Sequence, residues 1–322
     1  MKPGFHHKLL NSFFEDPSLF VRIAREKRSA LFDAGDIRSL SFSDIYKVTD
    51  VFITHTHIDH FIGMDMILRV ILRREVPLNI YGPPEIISCI EGKLKGYTWN
   101  LIHEYPTIIN VFSFNGKTLS HYTFSAKNKF KKKIISKTRS DGLLLNEPAL
   151  KVRAAVLDHG IPCLGYSIEE DYHINIDKDI LLKKGLSTGP WLTDFKKILR
   201  NNPRPWRIFR IEGKPYKLSQ LLDIVRITKG QKISYVTDIA ISEKNILKTI
   251  ALVRDSDTFY CEAYFLEKDR DRAIERSHLT AKTCGLIAKK AGVKKLKLMH
   301  FSPKYKECPE LVIKEALEKF NS

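Results

Sequence analysis

Apolar residues fall along this chain in two kinds of run. Short uninterrupted stretches of β-branched, aromatic and aliphatic residues, bounded by glycine or polar positions, predict buried strands. They are Ser29 to Asp33, Val48 to Thr54, Leu78 to Tyr81, Lys151 to Leu157, Lys232 to Thr237, Thr258 to Ala263 and Lys295 to Met299. Apolar positions spaced by three and four predict amphipathic helices over Glu243 to Val253, Thr280 to Ala291 and Glu307 to Phe320. Phe61, Ile62, Met66, Ile67, Val70 and Ile71 also share one helical face, and Pro77 stops any continuation. Strand runs in each half followed by helices favour sheets covered by helices, a mixed α/β (α+β) class. No stretch between the halves is rich enough in Gly, Pro and Ser to be a linker, so residues 1–322 read as a single domain.

Gly165 to Gln231 departs from this pattern. It holds Gly189-Pro190, the cluster Pro203-Arg204-Pro205-Trp206 and more basic than acidic residues. Residues 166–231 predict an inserted arm or lid with a little helix of its own, a candidate substrate-binding surface; an ordinary surface excursion of the main domain is the alternative.

Composition narrows the class. With 43% hydrophobic and 28% charged residues the chain is globular in type. Its net charge of +17 is suited to polyanions such as nucleic acid or anionic lipid. The longest apolar candidate for a membrane span, Met64 to Leu72, is interrupted by Arg69, so no transmembrane segment is expected. The N-terminal residues lack the apolar core and small-residue cleavage site of a signal peptide. Five widely spaced cysteines without a C-x-x-C pair read as reduced thiols of a cytoplasmic protein. The basic run Lys127 to Lys133, extended by Lys137 and Arg139, reads as a solvated hairpin.

Candidate chemistry concentrates just after the second predicted strand, in His55-Thr-His57-Ile-Asp59-His60. Only eleven histidines occur in the whole chain, and three in six positions is a poor match to chance. At a strand end alternate residues point the same way, so His55 and His57 can bind one metal, while Asp59 and His60, past a bend, can face a second. Two ions held close together supply a nucleophile at neutral pH for phosphoryl or acyl hydrolysis. The missing ligands are expected from other strand ends: His159, Asp238 and His300 each follow a predicted strand. Taken alone, Asp238 could cap a helix and His300 could be a core imidazole.

These residues resemble the ribonuclease Z family, the transfer-RNA 3′ endonucleases of the metallo-β-lactamase fold superfamily. His55 to His60 matches the family's H-x-H-x-D-H. His159 with Pro162 and Gly165-Tyr166 is similar to its second histidine motif. Asp238 stands at its bridging aspartate, although Thr237-Asp238-Ile239 replaces Gly-Asp-Thr. His278-Leu-Thr-Ala281 resembles H-S-T-A, and Lys294 to Tyr305 resembles the terminal motif around H-F-S, with Lys304 replacing arginine. The likeness runs from about Ala30 to Tyr305. It implies a four-layer αββα fold with an inserted arm and two Zn2+ per chain, although such donors also suit Mn2+ or Fe2+. His55, His57 and His159 would hold one ion, Asp59, His60 and His300 the other, and Asp238 would bridge. Asp59 and His278 are the implied catalytic residues, with His278 near the leaving 3′-oxygen. Glu262 would orient a ligand histidine, and Asp33 would support the metals from beneath.

Gly185 to Leu192 resembles the family's extension that grips the transfer-RNA elbow. By that likeness Lys183, Lys184, Lys196, Lys197 and Arg200 would contact phosphates. The partners implied are RNA, as transfer-RNA precursor, and a second copy of the chain in a homodimer. Two segments near the site depart from the family: Asp36-Ile37-Arg38 replaces Glu-Gly-Thr-Gln, and Phe61-Ile-Gly-Met-Asp65 replaces a Gly-Leu-Pro run. The expected function is a dinuclear zinc phosphodiesterase processing the 3′ end of transfer-RNA precursors. The rivals are a metallo-hydrolase of a small phosphodiester or ester, and an RNA-binding protein with a structural metal site.

Overall fold

The computed structural model describes residues 4–24, 26–147, 150–170, 172–201 and 204–322. The chain forms two compact units: Met1–Leu144 with Val152–Ile168 and Lys232–Ser322, and Leu145–Lys151 with Glu169–Gln231.

The first unit begins with eight strands hydrogen-bonded in chain order. They are β1 (Phe5–Leu9), β2 (Leu19–Ile23), β3 (Ser29–Phe32), β4 (Val48–Phe52), β5 (Leu78–Gly82), β6 (Ile108–Phe114), β7 (Thr118–Ser125) and β8 (Lys132–Arg139). Strands β3 to β6 run parallel, and the flanking strands are antiparallel. Helices α1 (Phe42–Tyr46), α2 (Ile58–Phe61), α3 (Met64–Ile71) and α4 (Ile86–Lys95) cross between the parallel strands, and their apolar side chains form one core cluster with the sheet. The chain continues through β9 (Leu143–Asn146), β10 (Lys151–Asp158) and β11 (Pro162–Glu169), so residues 166–168 lie within a strand of the first unit.

The second unit holds β12 (Tyr172–Ile176), α5 (Lys178–Lys183), α6 (Trp191–Arg200), β13 (Ile208–Ile211), β14 (Lys214–Lys217) and β15 (Val225–Lys229). Two antiparallel pairs, β12 with β15 and β13 with β14, frame a small core of its own that includes Leu181, Phe195, Phe209 and Leu221. Arg204, Pro205 and Trp206 of the proline cluster are described, and Pro203 lies outside the described residues.

The chain then returns through β16 (Lys232–Val236), α7 (Glu243–Val253), β17 (Thr258–Glu262), α8 (Arg270–Glu275), α9 (Ala281–Lys290), β18 (Leu296–Met299) and α10 (Pro309–Asn321). The second sheet has the order β18-β17-β16-β11-β10-β9, with β16, β17 and β18 parallel. Its outer face packs against α9 and α10 in a second core cluster. The inner faces of the two sheets meet through aromatic rings: Phe32 and Phe52 on one side, Tyr166 and Tyr235 on the other, with centroids 5.5–6.0 Å apart. The result is four layers: helices, sheet, sheet, helices. Among the described residues no helix is long and apolar enough to cross a membrane. All five cysteines are free thiols.

One expectation changes in a physically informative way, and another holds. The apolar face from Phe61 to Ile71 is not one helix. Gly63 N–H donates to the Ala34 carbonyl at 2.7 Å instead of continuing the helical ladder, and the chain breaks between α2 and α3. The basic run forms the turn and second strand of the expected solvated hairpin: β8 pairs antiparallel with β7 at the edge of the sheet and is exposed along its whole length. A strand exposed on both faces shows no alternation of apolar and polar residues, and its lysines discourage pairing with another chain.

The break at Gly63 lets two loops touch. A Cβ on Gly35 would lie 2.3 Å from the Asp59 carbonyl oxygen, and one on Gly63 would lie 2.5 Å from that of Gly35. Gly35→Ala is therefore expected to push apart the backbone that carries Asp33 and Asp59. The expected cost is about 1–3 kcal/mol, read as a lower urea midpoint at unchanged slope.

Candidate metal centre

The carboxyl ends of the parallel strands in both sheets gather the candidate residues. Asp33 follows β3, His55 lies just past β4, Asp238 lies two residues past β16, Glu262 ends β17 and His300 follows β18. Left-handed backbone marks this edge: φ is 56° at Asp33, 53° at Asp238, 58° at Ser277 and 54° at His300. Four of the eight non-glycine residues of that kind among the described residues thus sit in or beside the cluster. Each such conformation costs roughly 1–2 kcal/mol, and packing at this edge holds it in place.

The side chains converge in overlapping groups. The ligating atoms of His55, His57 and His159 lie within 4.8 Å of one another, as do those of Asp59, His60 and His300. Asp238 joins the two sets, sharing one group with His55 and His60 and another with His278, Glu262 and His300. Its carboxylate is 2.9 Å from His60 Nε2 and 3.3 Å from His300 Nδ1.

Hydrogen bonds at the other ring nitrogen orient several of the imidazoles. His60 Nδ1 donates to Asp33 at 2.8 Å, and His159 Nδ1 donates to the Ser277 carbonyl at 2.8 Å. His55 Nδ1 lies 3.1 Å from the Thr54 hydroxyl. Asp33 is fully buried and accepts also from Thr54 N–H, the Thr54 hydroxyl and the Tyr235 hydroxyl, so its own orientation is fixed. What remains is telling. The Nε2 atom of His55 is buried without a hydrogen-bond partner, and that of His60 faces the Asp238 carboxylate at 2.9 Å and the Asp59 carboxylate at 3.2 Å without making a hydrogen bond. Buried polar atoms are nearly always paired. One orphaned imidazole nitrogen, and a second set between two carboxylates, match the demands of a metal ion, for which imidazole and carboxylate are ordinary donors.

Electrostatics shift these groups in opposite directions: burial would lower His60, but the neighbouring carboxylates of Asp238 and Asp33 raise it well above the ordinary histidine value. Burial, reinforced by the neighbouring His60, pushes the pKa of His55 down to about 2 and keeps the ring neutral, the form that ligates. Burial, then His159, also lowers His57. Burial alone would raise the pKa values of Asp59 and Asp238, but the neighbouring imidazoles of His300 and His60 outweigh it and lower both.

This edge of two stacked sheets has counterparts in known proteins. No family model matches the chain. The ribonuclease Z of Deinococcus radiodurans is 27% identical over 282 residues, covering 86% of this chain and 83% of that one. The ribonuclease Z of Clostridioides difficile is 28% identical over 312 residues, covering 94% and 88%. Over most of its length the chain is thus similar to ribonucleases Z, and it has their metallo-β-lactamase fold. It is accordingly a metal-dependent hydrolase. The short form of human tRNase Z shares the fold, with a TM-score of 0.56 at 20% identity over 93% of each chain. A metallo-β-lactamase fold protein of Bacillus subtilis does so with a TM-score of 0.58 at 14% identity, over 98% of this chain and 93% of that one.

The residues around the ligand groups are as informative as the groups themselves. His278 is buried, with Nδ1 2.8 Å from Glu262 and 3.2 Å from Asp238, and its ring stacks on Tyr264 at 3.9 Å. Burial would lower its pKa, but the charge and hydrogen bond of Glu262 and the charge of Asp238 together outweigh burial and raise it. Glu262 is fully committed: its second oxygen accepts from Ile239 N–H at 2.8 Å, and it serves to hold His278 rather than to offer a free ligand atom. Ser277, Tyr264, Tyr235 and Thr54 were not singled out by the sequence. A backbone carbonyl, a stacking ring and two hydroxyls carry no motif.

The five basic residues expected to meet phosphates lie in the second unit. Lys183 and Lys197 are exposed, Lys197 facing Asp194 at 3.8 Å. Lys184 is tied to Asp223 and to the Gln220 carbonyl. Arg200 is mostly buried against Glu170 at 2.9 Å, and Lys196 is half-buried.

Proposed function

We propose that this protein is a dinuclear zinc endoribonuclease that cuts transfer-RNA precursors at their 3′ end. The observation that carries the reading is the pair of three-residue groups joined by Asp238, with His55 Nε2 buried and without a hydrogen-bond partner. It is supported by the likeness to ribonucleases Z over most of the chain. His55, His57 and His159 would hold one ion, Asp59, His60 and His300 the other, and Asp238 both. When bound, the ions supply Lewis acidity toward the phosphodiester and a nucleophile at neutral pH. Mn2+ or Fe2+ could be held by the same donors.

The chain's own residues do the rest. Asp33, Thr54 and the Ser277 carbonyl hold the imidazoles in the tautomer that leaves Nε2 free. Glu262 favours the protonated form of His278, and because Nδ1 is engaged by the carboxylate, Nε2 is the atom that gives its proton to the departing 3′-oxygen. Lys183 and Lys197 would contact phosphates of folded RNA from the second unit. The same reading includes a homodimer, measurable by sedimentation, and a cytoplasmic location, with which the five free thiols agree.

The test pairs two substrates. Zinc-loaded protein is expected to cut a 3′-extended precursor at one position with a KM that rises steeply with salt, and to hydrolyse a chromogenic phosphodiester with little salt dependence. Lys183→Ala with Lys197→Ala should flatten the salt slope for RNA by about one unit per lysine and leave the ester unchanged. Hydrolysis of the ester without cleavage of the precursor would move the assignment to a small-phosphodiester hydrolase.

A further inference from the structure

Two segments some 25 positions apart, Asp36–Arg38 and Ile62–Met66, meet in three dimensions. Asp36, Ile37 and Arg38 on one side, and Ile62, Gly63 and Met66 on the other, line a cavity of about 340 Å³, with Asp16 and Gly35 completing its wall. That volume is at the small end of ligand pockets, which run to about 300–1,000 Å³. The cavity adjoins the metal centre, because Gly35 packs directly on the Asp59 carbonyl and Gly63 N–H bonds the Ala34 carbonyl. None of its lining residues belongs to the ligand groups.

Its chemistry is uneven in a useful way. Ile37, Ile62 and Met66 supply apolar surface, and Ile62 is 47% exposed. Arg38 supplies a flat cation. The Asp36 carboxylate accepts from Arg38 Nε at 3.0 Å and from Nη2 at 2.6 Å, and it also takes the Arg38 N–H at 2.9 Å. The Asp36 backbone is held in turn by Asn11 Nδ2 at 2.8 Å. The guanidinium is thus fixed in plane while its side chain stays 85% exposed. A planar group anchored at one edge and open on its face is a stacking platform. Across the cavity, the Asp16 carboxylate takes part in no hydrogen bond or ion pair among the described residues and offers an acceptor.

We propose that this cavity is a nucleobase pocket, in which a base next to the scissile phosphate stacks on the Arg38 guanidinium over Ile62 and Met66. Asp16 accepts a hydrogen bond from an exocyclic amino group, so adenine, cytosine or guanine is favoured over uracil. The inference rests on the RNA reading above and adds to it a subsite that the ligand groups do not contain. A free phosphodiester without bases has nothing to place there.

The experiment measures cleavage by the zinc-loaded full chain, and binding of the same precursor under chelator. Precursors carry a normal base, uracil or an abasic site at each nucleotide flanking the cut, and the proteins are parent, Arg38→Ala and Arg38→Lys. In the parent, the abasic substitution at one of these positions is expected to weaken binding and raise KM by about tenfold, with uracil in between. Arg38→Ala should cost about the same, and in that variant the abasic substitution should cost almost nothing more. Arg38→Lys should not rescue, because it keeps the charge and loses the plane. Hydrolysis of the chromogenic ester should be unchanged in both variants, which shows that the metal centre is intact. Full rescue by lysine would make Arg38 a phosphate contact and overturn the pocket, as would equal abasic costs in parent and variant, or a parallel loss on the ester. A parent that hydrolyses the ester but neither binds nor cuts any precursor would instead remove the RNA reading, and the pocket with it.

Discussion

Asp238→Ala is expected to lower zinc occupancy at both positions at once, from two ions per chain to fewer than one, and to take phosphodiesterase activity to background. Asp238 is buried beside His60, His278 and His300 and shares a group of potential ligands with His55 and His60, so one carboxylate serves both sets. Loss of a residue that merely supports a ligand typically costs 10–100-fold in metal affinity, and loss of a shared ligand should exceed about 100-fold. Alanine at φ 53° also adds backbone strain that asparagine avoids, so Asp238→Asn separates the two effects. The neutral isostere keeps the turn and removes the charge, and it should still lose metal. Elemental analysis after zinc reconstitution is the measurement. A parent that takes up one ion, or an Asp238→Ala protein that keeps one site full, would remove the bridging role.

His278→Ala should do the opposite to the metal and nearly as much to the rate. Metal content is expected to stay at two ions, while kcat falls by about 10²–10⁴-fold, the range for loss of a general acid. The geometry makes this a real contest, since His278 lies within ligand distance of Asp238 and His300. What favours the acid is that its Nδ1 is already bound to Glu262 and its ring is clamped on Tyr264. Glu262→Gln keeps the hydrogen bond and removes the charge that sustains the proton, so it should lower kcat with less effect on KM. Metal lost together with activity in His278→Ala would make His278 a ligand.

Both predictions could be framed because the donors were legible in the sequence. His55, His57, Asp59 and His60 fall within six positions, and His159, Asp238 and His300 each follow an apolar run that becomes a strand. A buried parallel strand must be a continuous apolar run, and the residue after it stands at the carboxyl edge where such sheets place their sites, so strand and site are read together. The helices over Glu243–Val253 and near Thr280 to Ala291 were legible for the same reason, being long and strictly periodic.

Other features were decided by contacts between residues far apart in the chain. Periodicity from Phe61 to Ile71 describes one helix, yet Gly63 bonds to Ala34, because the loop after β3 must lie against the ligand loop. Which imidazole nitrogen is free depends on Asp33, Thr54 and Ser277, whose partners lie up to 118 residues away. Arg200 reads as a phosphate ligand until Glu170 is beside it. The basic run was visible, but only pairing with β7 makes its second half an edge strand. The residues of Asp36–Arg38 and Ile62–Met66 are some 25 positions apart, and only their packing makes them one pocket. Local sequence specified which groups were present and at which strand ends they stand, because hydrophobic period and ligand spacing act over a few residues. Charge state, tautomer, helix breaks and cavities depend on desolvation and on partners across the fold, and those exist only once the two sheets have closed on each other.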